Sequence, residues 1–495
     1  MSVTETASAA PSGRGAVTNA LWLLAAEVIG KVANFVLVVV IARGLGATQY
    51  GYYNFALSFI PLFLIFANWG MDSALVREIA RDRSRTSELL ASAFALLGAI
   101  GGIGVGLSLG FAAFFVHEPR FYLAIGIIAV ALFVDEQAAL LADVFKAFEQ
   151  MQFQAYVVLA NRVLSMVLSL LAVTFHKSLV LVAVAYLSGS VLALVLSRVI
   201  LARRFPPVSL RDVRAQTVRE LMRRGVPLAV GGFLNMAVYR LDAVMLQGIR
   251  GPVEVATYGV AYRFFETFLF FSWTIGTVVL PRLSRLRSDG ERRRTFEVTV
   301  GAVVAFYLPL VVIAAFSAEF LVDKIFSSQY HEAARAVPPL VAASALYGVA
   351  HVSRMGLIAV GRRARVPIAA AVVLALNAAM NAIVIPRYGF VGAAWTTFAT
   401  EVVEAMLLLA LFISLSWVPR LARAAAVPAV AAVAVTALLI AFGLDGGEAL
   451  VVTLVVYPVF LVVASGSIAR SQVRLLVSIV RNRKVAVEAA TVDAP

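Results

Sequence analysis

The sequence predicts an all-α polytopic membrane protein with about 14 transmembrane helices. Of its 495 residues, 61% are hydrophobic and only 14% are charged, whereas an average soluble domain carries roughly 25% charged residues. Apolar windows long enough to cross a bilayer as helices follow one another along the chain. Alternating strands of about ten residues, which a transmembrane β-barrel requires, do not occur in the pattern.

Each apolar window predicts one transmembrane helix. The windows cover residues 19–42, 52–71, 88–115, 122–142, 152–175, 179–202, 226–247, 255–279, 296–317, 335–358, 367–385, 390–414, 421–442 and 448–468. The first window has no small-residue cleavage site, so we interpret it as a retained span and not as a signal peptide. The predicted domains are a cytoplasmic tail (1–17), an N-lobe with spans 1–6 (18–202), a basic cytoplasmic linker (203–225), a C-lobe with spans 7–12 (226–414), spans 13–14 (415–468) and a second cytoplasmic tail (469–495).

Lysine and arginine are distributed unequally between the two predicted sides of the membrane. With the amino terminus inside, the inner segments hold 29 of the 42 basic residues and the outer segments hold seven. This bias indicates a positive-inside orientation, with both termini cytoplasmic in a bacterial cytoplasmic membrane. Residues 203–224 carry seven arginines, and we expect them to form a surface helix that contacts anionic lipid headgroups.

An internal repeat supports the division into two lobes. A shift of 205 residues aligns 46–66 with 251–271 without a gap, and seven of the 21 positions are identical, including Gly46 with Gly251 and Tyr53 with Tyr258. Six spans separate the copies, so both halves have the same orientation. Transporters commonly use parallel repeats of this kind, with the substrate path at the interface between them.

The sequence contains no recognisable catalytic, metal-binding or cofactor-binding motif. Cysteine is absent and only four histidines are present, which excludes a cysteine-based metal site or a disulfide framework. Gly30-Lys31 continues into Val32, where a phosphate-binding loop would need Ser or Thr. We therefore expect a transporter and not an enzyme, driven by an ion gradient, the membrane potential or a downhill substrate.

Polar side chains inside the apolar windows are the candidates for function. A charge at mid-bilayer costs about 2.5–3.5 kcal/mol, so it usually faces a cavity or a partner. The cations and amides could bind an anionic substrate group in a hydrated cavity; they are Lys31, Arg162, Arg240, Arg263, Asn34, Asn377 and Asn381. The carboxylates are candidates for coupling or gating; they are Glu27, Asp242, Glu401 and Glu404.

A purely structural interpretation of some of these charges remains open. Glu27 with Lys31 and Arg263 with Glu266 have i,i+4 and i,i+3 spacing, so each pair could only neutralise itself. Arg354 lies near the predicted cytoplasmic end of its span, and we expect its side chain to snorkel to the interface. Asp135, near the inner end of span 4, is likewise expected at the interface.

Several stretches together resemble the oligosaccharide-lipid flippases, the O-antigen and capsule-type exporters of the multidrug/oligosaccharidyl-lipid/polysaccharide exporter superfamily. They are 42–53 (ARGLGATQYGYY), 69–72, 76–81, 225–227 with Asp242, 258–264 (YGVAYRF), 281–284, 361–362, Asn377, Asn381 and 388–394 (YGFVGAA). The resemblance covers about residues 18–414 in the expected order.

The resemblance implies two pseudo-symmetric six-helix lobes in a V shape that alternate between inward-open and outward-open states. It implies a polyprenyl-diphosphate-linked glycan as cargo, membrane lipids as surroundings, and a glycan polymerase and glycosyltransferases as partners; no nucleic acid is expected. No binding residue transfers by motif, so the candidates above rest on their chemistry alone.

A cation-coupled multidrug or metabolite antiporter of the same superfamily is the alternative function. A membrane glycan polymerase or ligase is disfavoured because the predicted outer loops are short.

Overall fold

A computed structural model describes residues 30, 32–68, 71–205, 208–362, 365–413 and 421–481. Within these ranges every regular element is a helix, which confirms the predicted fold class. The α-helices are α1 (Val32–Leu45), α2 (Ala47–Asn68), α3 (Met71–Arg81), α4 (Thr86–Ala112), α5 (Pro119–Ala147), α6 (Met151–His176), α7 (Leu179–Arg204), α8 (Ala215–Arg250), α9 (Pro252–Arg285), α10 (Asp289–Ile325), α11 (Val337–Ala359), α12 (Val366–Ile413), α13 (Leu421–Phe442) and α14 (Gly446–Arg481). Short 3₁₀ segments cover Arg83–Arg85, Leu210–Asp212 and Ser328–Ala336.

These helices account for the 14 predicted spans. Eleven of them in the described ranges are long and apolar enough to cross a membrane. One of the eleven, α12, has 48 residues and bends at Gly389, so it contains two predicted spans. Helices α1 and α2 cover the described parts of the first two spans. The 11-residue helix α3 lies between spans 2 and 3 and was not predicted, because it is too short and too polar to form an apolar window.

The bend in α12 has a local cause. Gly389 has a φ of +56°, a conformation that residues with a Cβ rarely adopt. A Cβ at this position would also overlap the carboxylate of Glu254, in the first turn of α9. The same carboxylate accepts a hydrogen bond of 2.8 Å from the Phe390 N–H, which caps the helix that follows the bend.

We call helices α1–α7 the N-half and helices α8–α12 the C-half. The two halves meet mainly along α2. This helix packs against both α8 and α9, while α13 and α14 pack on α10 at the periphery. The repeat is visible in the backbone: Gly46 connects α1 to α2 with a φ of +77°, and Gly251 connects α8 to α9 with a φ of +86°. Thus α2 and α9, the repeated helices, contact each other at the centre. The lobe boundaries at residues 202, 225 and 414 stay predictions.

The basic linker is anchored to the N-half by hydrogen bonds and ion pairs. Residues 215–224 are the first turns of α8 and not a separate surface helix. The Thr217 hydroxyl donates to the Glu88 carboxylate, Arg214 lies 3.7 Å from the same carboxylate, and Arg224 pairs with Glu78 at 2.7 Å. A single helix therefore runs from the N-half contact into the centre of the protein, and its contact with lipid headgroups stays a prediction.

Candidate functional site

A cavity of about 760 Å³ lies between the two halves. The N-half contributes side chains of α1 and α2, and the C-half contributes a longer stretch of α8 and α9. The polar lining residues include Asn34, Asn235, Arg240, Arg263 and Glu266. The apolar lining residues include Phe35, Ile65, Leu269, Phe270 and Trp273. The cavity thus combines an apolar wall with a compact charged group.

The charged group consists of one carboxylate between two guanidinium groups. Glu266 Oε2 lies 2.6 Å from Arg263 Nη1, one helical turn away on α9. Glu266 Oε1 lies 3.0 Å from Arg240 Nη1 on α8. The two arginine side chains are 14% and 30% exposed, Arg263 being the more buried. Two cations and one anion carry a formal charge of +1, so these three residues favour an anion in the cavity.

Arg263 also connects the C-half to the N-half. Its Nη2 donates to Asn54 Oδ1 on α2 at 3.1 Å. The helices are in close contact here, since a Cβ at Gly259 would lie 2.5 Å from Asn54 Nδ2. Gly259 is the position that the 205-residue shift aligns with Asn54. The contact therefore lies where the two repeats face each other.

The halves are also connected at the end of the bundle that the charge count predicts to be outer. Arg43 at the end of α1 donates to the carbonyl oxygens of Lys324 and Ile325 at the end of α10, with 2.8 Å to Ile325. The buried Tyr330 hydroxyl donates to the Ala42 carbonyl oxygen at 3.0 Å. We call these contacts the outer seal. They hold the first helix of the N-half against the C-half.

Arg162 lies on α6 and does not belong to the lining of this cavity. Its electrostatic neighbour is Asp135 on α5, a partner from another helix that spacing along one helix cannot reveal. Asp135 accepts hydrogen bonds of 2.9 Å from both Asn161 Nδ2 and Tyr186 OH. The carboxylate of Asp135 thus lies between α5, α6 and α7, and its expected position near the membrane interface stays a prediction.

Asp242, Asn377 and Asn381 form a separate, fully buried cluster. Asp242 accepts hydrogen bonds from Asn381 Nδ2 at 2.6 Å, Thr397 Oγ1 at 2.7 Å and Tyr258 OH at 2.8 Å. Asn377 Oδ1 accepts from the same Asn381 amide at 3.0 Å. Such a complete set of donors is what a buried carboxylate requires. The cluster joins α8, α9 and both parts of α12, and its five residues are not among those that line the cavity.

Glu401 and Glu404 surround Arg354 inside the C-half. Arg354 Nε lies 3.3 Å from Glu404 Oε1, and Arg354 is only 8% exposed. The expectation that Arg354 snorkels to the interface is wrong, because α12 covers this part of α11 and supplies both carboxylates. The guanidinium also lies 5.1 Å from the Tyr347 ring centre. The Tyr347 hydroxyl accepts a 2.6 Å hydrogen bond from Trp273 Nε1, which links this cluster to the cavity wall.

The structure thus brings three of the predicted site residues together in one cavity: Asn34, Arg240 and Arg263. Glu27 and Lys31 lie outside the described residues. The remaining candidates occupy three other clusters, of which those of Asp242 and Arg354 are buried and that of Arg162 is half-buried. Asn54 was not predicted as a site residue, although its alignment with Gly259 in the repeat was an available signal. Arg240 was not predicted as a second partner of Glu266.

Comparisons with known proteins agree with this architecture. The family model described as polysaccharide biosynthesis protein matches residues 16–287, which is more than half of the chain, and the MatE family model matches residues 227–383. The chain is 23% identical over 396 residues to the probable low-salt glycan biosynthesis flippase Agl15 of Haloferax volcanii, covering 78% of this chain and 81% of that protein. An uncharacterised membrane protein of Methanocaldococcus jannaschii is 23% identical over 417 residues, with coverages of 77% and 81%.

Solved structures share the fold. The lipid II flippase MurJ, in an inward-closed conformation, superposes with a TM-score of 0.74 at 14% identity and covers 91% of this chain and 99% of its own. An inward-facing multidrug resistance MATE family transporter gives a TM-score of 0.59 at 16% identity, with coverages of 78% and 94%. Together with the family match, these likenesses confirm the expected superfamily. The chain belongs to the polysaccharide biosynthesis protein family and is a multi-pass membrane transporter, not an enzyme, of the multidrug/oligosaccharidyl-lipid/polysaccharide exporter superfamily.

Proposed function

We propose that the protein is a flippase that moves a polyprenyl-diphosphate-linked oligosaccharide across a bacterial cytoplasmic membrane by alternating access, for cell-surface polysaccharide biosynthesis. The observation that carries this proposal is the Arg240–Glu266–Arg263 group in the cavity between the halves. The relative Agl15 is named as a glycan biosynthesis flippase and MurJ as a lipid II flippase. Both names agree with a lipid-linked glycan as the cargo of this chain.

The charged group suits a diphosphate for two physical reasons. Guanidinium groups form bidentate, charge-assisted hydrogen bonds with phosphate oxygens, and the low dielectric of a protein cavity strengthens them. Without cargo, Glu266 compensates the two arginines, so the empty cavity does not carry two unpaired buried cations. An incoming diphosphate then replaces the Glu266 carboxylate as the anion that both arginines bind.

The shape of the cavity suits the rest of the cargo. Polar side chains such as Asn34 and Asn235 can bind sugar hydroxyls, while Phe35 and Ile65 line an apolar wall. The prenyl chain would remain in the bilayer while the headgroup passes through the cavity. With the outer seal closed, the cavity would exchange with the cytoplasmic side, and separation of α1 from α10 would open the other side.

The other candidate residues have proposed roles. Lys31 and Arg162 would extend the cationic path, and Asn377 and Asn381 would contribute amide groups to sugar binding in a more open state. Glu27, Asp242, Glu401 and Glu404 would couple or gate the cycle. We further propose that both termini are cytoplasmic and that glycosyltransferases and a glycan polymerase of the same pathway act beside the protein.

A cation-coupled multidrug or metabolite antiporter is the second candidate function. The Asp242 cluster favours it, because a carboxylate, two amide oxygens and a hydroxyl supply the oxygen ligands that hard cations prefer. The fold likeness to MATE transporters agrees with it. On this account the carboxylates would determine transport and the cavity arginines would be incidental.

Reconstituted vesicles distinguish the two functions. The purified protein is inserted into liposomes that contain a fluorescent polyprenyl-diphosphate-linked oligosaccharide, and translocation is followed by the loss of signal on adding a membrane-impermeant quencher. We expect translocation by the wild type and at least a tenfold slower rate for Arg240→Gln and Arg263→Gln. Arg198→Gln is the matched control, because Arg198 stacks on Phe94 at 4.9 Å outside the cavity. Equal translocation rates in all four proteins would contradict the arginine site. Cation-driven drug uptake without lipid translocation would favour the antiporter.

A further inference from the structure

We infer that Asn54 is a positioning residue of the transport cycle. Asn54 holds the Arg263 guanidinium at the contact between the halves. An anionic headgroup then draws this guanidinium into the cavity. The loss of the Asn54–Arg263 hydrogen bond allows the predicted outer side to open. The inference rests on the proposed function, because the headgroup in question is the diphosphate of the proposed cargo.

The position of Arg263 supports this role. Helices α2 and α9 both begin at the predicted outer end, where Asn54 is seven residues after Ala47 and Arg263 is eleven residues after Pro252. At a rise of about 1.5 Å per residue, Arg263 therefore lies roughly 6 Å deeper than Asn54. Helical side chains tilt toward the amino-terminal end, so Arg263 extends outward to Asn54, while Phe270 and Trp273 line the cavity farther inward.

A diphosphate in the cavity would compete with Asn54 for the same guanidinium. The Arg263 side chain is only 14% exposed, with Nη1 on Glu266 and Nη2 on Asn54. A bidentate contact with phosphate needs two N–H groups that point to the same side. Since the cargo would approach from the inner side, the guanidinium must turn inward to meet it and must give up the Asn54 amide.

The loss of this contact would destabilise the closed packing around Asn54. The residue is 5% exposed, and among the described residues its Nδ2 already has no hydrogen-bond partner. Without Arg263, both polar atoms of a buried amide would lack partners, which is unfavourable in a dry site. Helices α2 and α9 are in close contact here, at Gly259 beside Asn54 and at Gly51 beside the Pro252 carbonyl, so the amide has little room to find other partners. Separation of α2 from α9 would hydrate the amide and extend the opening to the outer seal.

Distances between spin labels test this coupling. The chain has no cysteine, so Thr48→Cys on α2 and Ser328→Cys beside α10 provide two labelling sites in lipid nanodiscs. In the wild type, farnesyl diphosphate should shift the distance distribution to longer values. Asn54→Leu should show the longer distances already without farnesyl diphosphate, and adding the compound should change them little. Asn54→Asp should place a carboxylate beside Arg263, and the half-saturating concentration of farnesyl diphosphate should rise about tenfold.

The two variants are expected to act in opposite directions: Asn54→Leu favours the long-distance state, and Asn54→Asp makes it harder to reach with ligand. A merely structural role is excluded by this result, since simple loss of packing would shift the distances of both variants in one direction. Ser58→Ala, one turn further along α2, is the control and should respond like the wild type. If the wild type translocates lipid but both Asn54 variants show the label distances and the half-saturating concentration of the wild type, the inference is overturned. If Asn54→Leu cannot be purified, an unchanged half-saturating concentration in Asn54→Asp alone would overturn it. A wild type that neither responds nor translocates would overturn the proposed function as well.

Discussion

Glu266 Oε1 lies 3.0 Å from Arg240 Nη1, so the carboxylate that binds Arg263 on its own helix also binds a second arginine on the neighbouring helix. This bridge holds α8 and α9 together at the wall of the cavity. It also sets the charge that an incoming ligand meets. The wall therefore carries two arginines whose charge is already partly neutralised by one carboxylate.

Removal of the Glu266 charge is expected to strengthen diphosphate binding and to slow transport. In Glu266→Gln, two arginines would face the ligand without a competing carboxylate, so affinity for farnesyl diphosphate should rise about tenfold while release becomes slower. Isothermal titration and the vesicle translocation assay measure the two effects. Glu297→Gln is the control, since that residue pairs with Arg293 at 3.5 Å outside the cavity. Unchanged affinity in Glu266→Gln would contradict the assigned electrostatics.

Loss of the outer seal is expected to raise the population of the state that is open on that side. Arg43→Ala combined with Tyr330→Phe removes hydrogen bonds to the Lys324, Ile325 and Ala42 carbonyl oxygens. Hydrogen bonds of this kind contribute about 1 kcal/mol each, so the open population should grow at least tenfold. The labelled pair at positions 48 and 328 reports the change. Arg335→Ala, which affects only an exposed pair with Glu332, should leave the distances as they are.

Gly389→Ala is expected to destabilise the protein strongly. The substitution places a Cβ at a positive φ of 56° and into the space of the Glu254 carboxylate, which we expect to cost about 1–3 kcal/mol. Thermal unfolding in detergent should show a lower Tm. Gly102→Ala provides the comparison, because a Cβ at that helical position would meet no described atom within 4 Å apart from its chain neighbours and the backbone of its own helix. A Tm for Gly389→Ala equal to that of Gly102→Ala would contradict the account of the bend.

Arg354 is expected to be essential for stability. Arg354→Ala would leave the buried carboxylates of Glu401 and Glu404 without their cation, a loss of about 3–5 kcal/mol. Replacement of both Arg354 and Glu404 by Met and Gln should be better tolerated than Arg354→Ala alone, since it removes the charges as a pair. Yield and Tm after purification measure the difference. Arg198→Ala, at an exposed position, should have little effect on either.

The sequence predicted the helices well because their determinants are local. Apolar windows define the spans, and Gly46 and Gly251 mark equivalent turns with positive φ. The short helix α3 escaped prediction, since its 11 residues carry too little apolar surface to form a window. Local pattern thus gave the number and order of the elements but not every short one.

The contacts within the site could be predicted only in part, because they depend on which helices are neighbours. The Arg263–Glu266 pair follows from i,i+3 spacing. The bond from Arg240 to Glu266 joins different helices, and no spacing rule predicts it. Arg354 was expected at an interface because the sequence shows its position near a helix end. The sequence does not show that α12 packs over it and buries it. Tertiary packing decides such cases.

The central claim is that a lipid diphosphate binds between the two halves at Arg240 and Arg263. A cryo-electron microscopy structure of the wild type in nanodiscs with a polyprenyl-diphosphate-linked oligosaccharide tests it most directly. The account predicts phosphate oxygens about 3 Å from both guanidinium groups, with the prenyl chain leaving the cavity toward the lipid. A headgroup bound elsewhere, with the Arg240–Glu266–Arg263 group unchanged and the cavity empty of lipid, would contradict it.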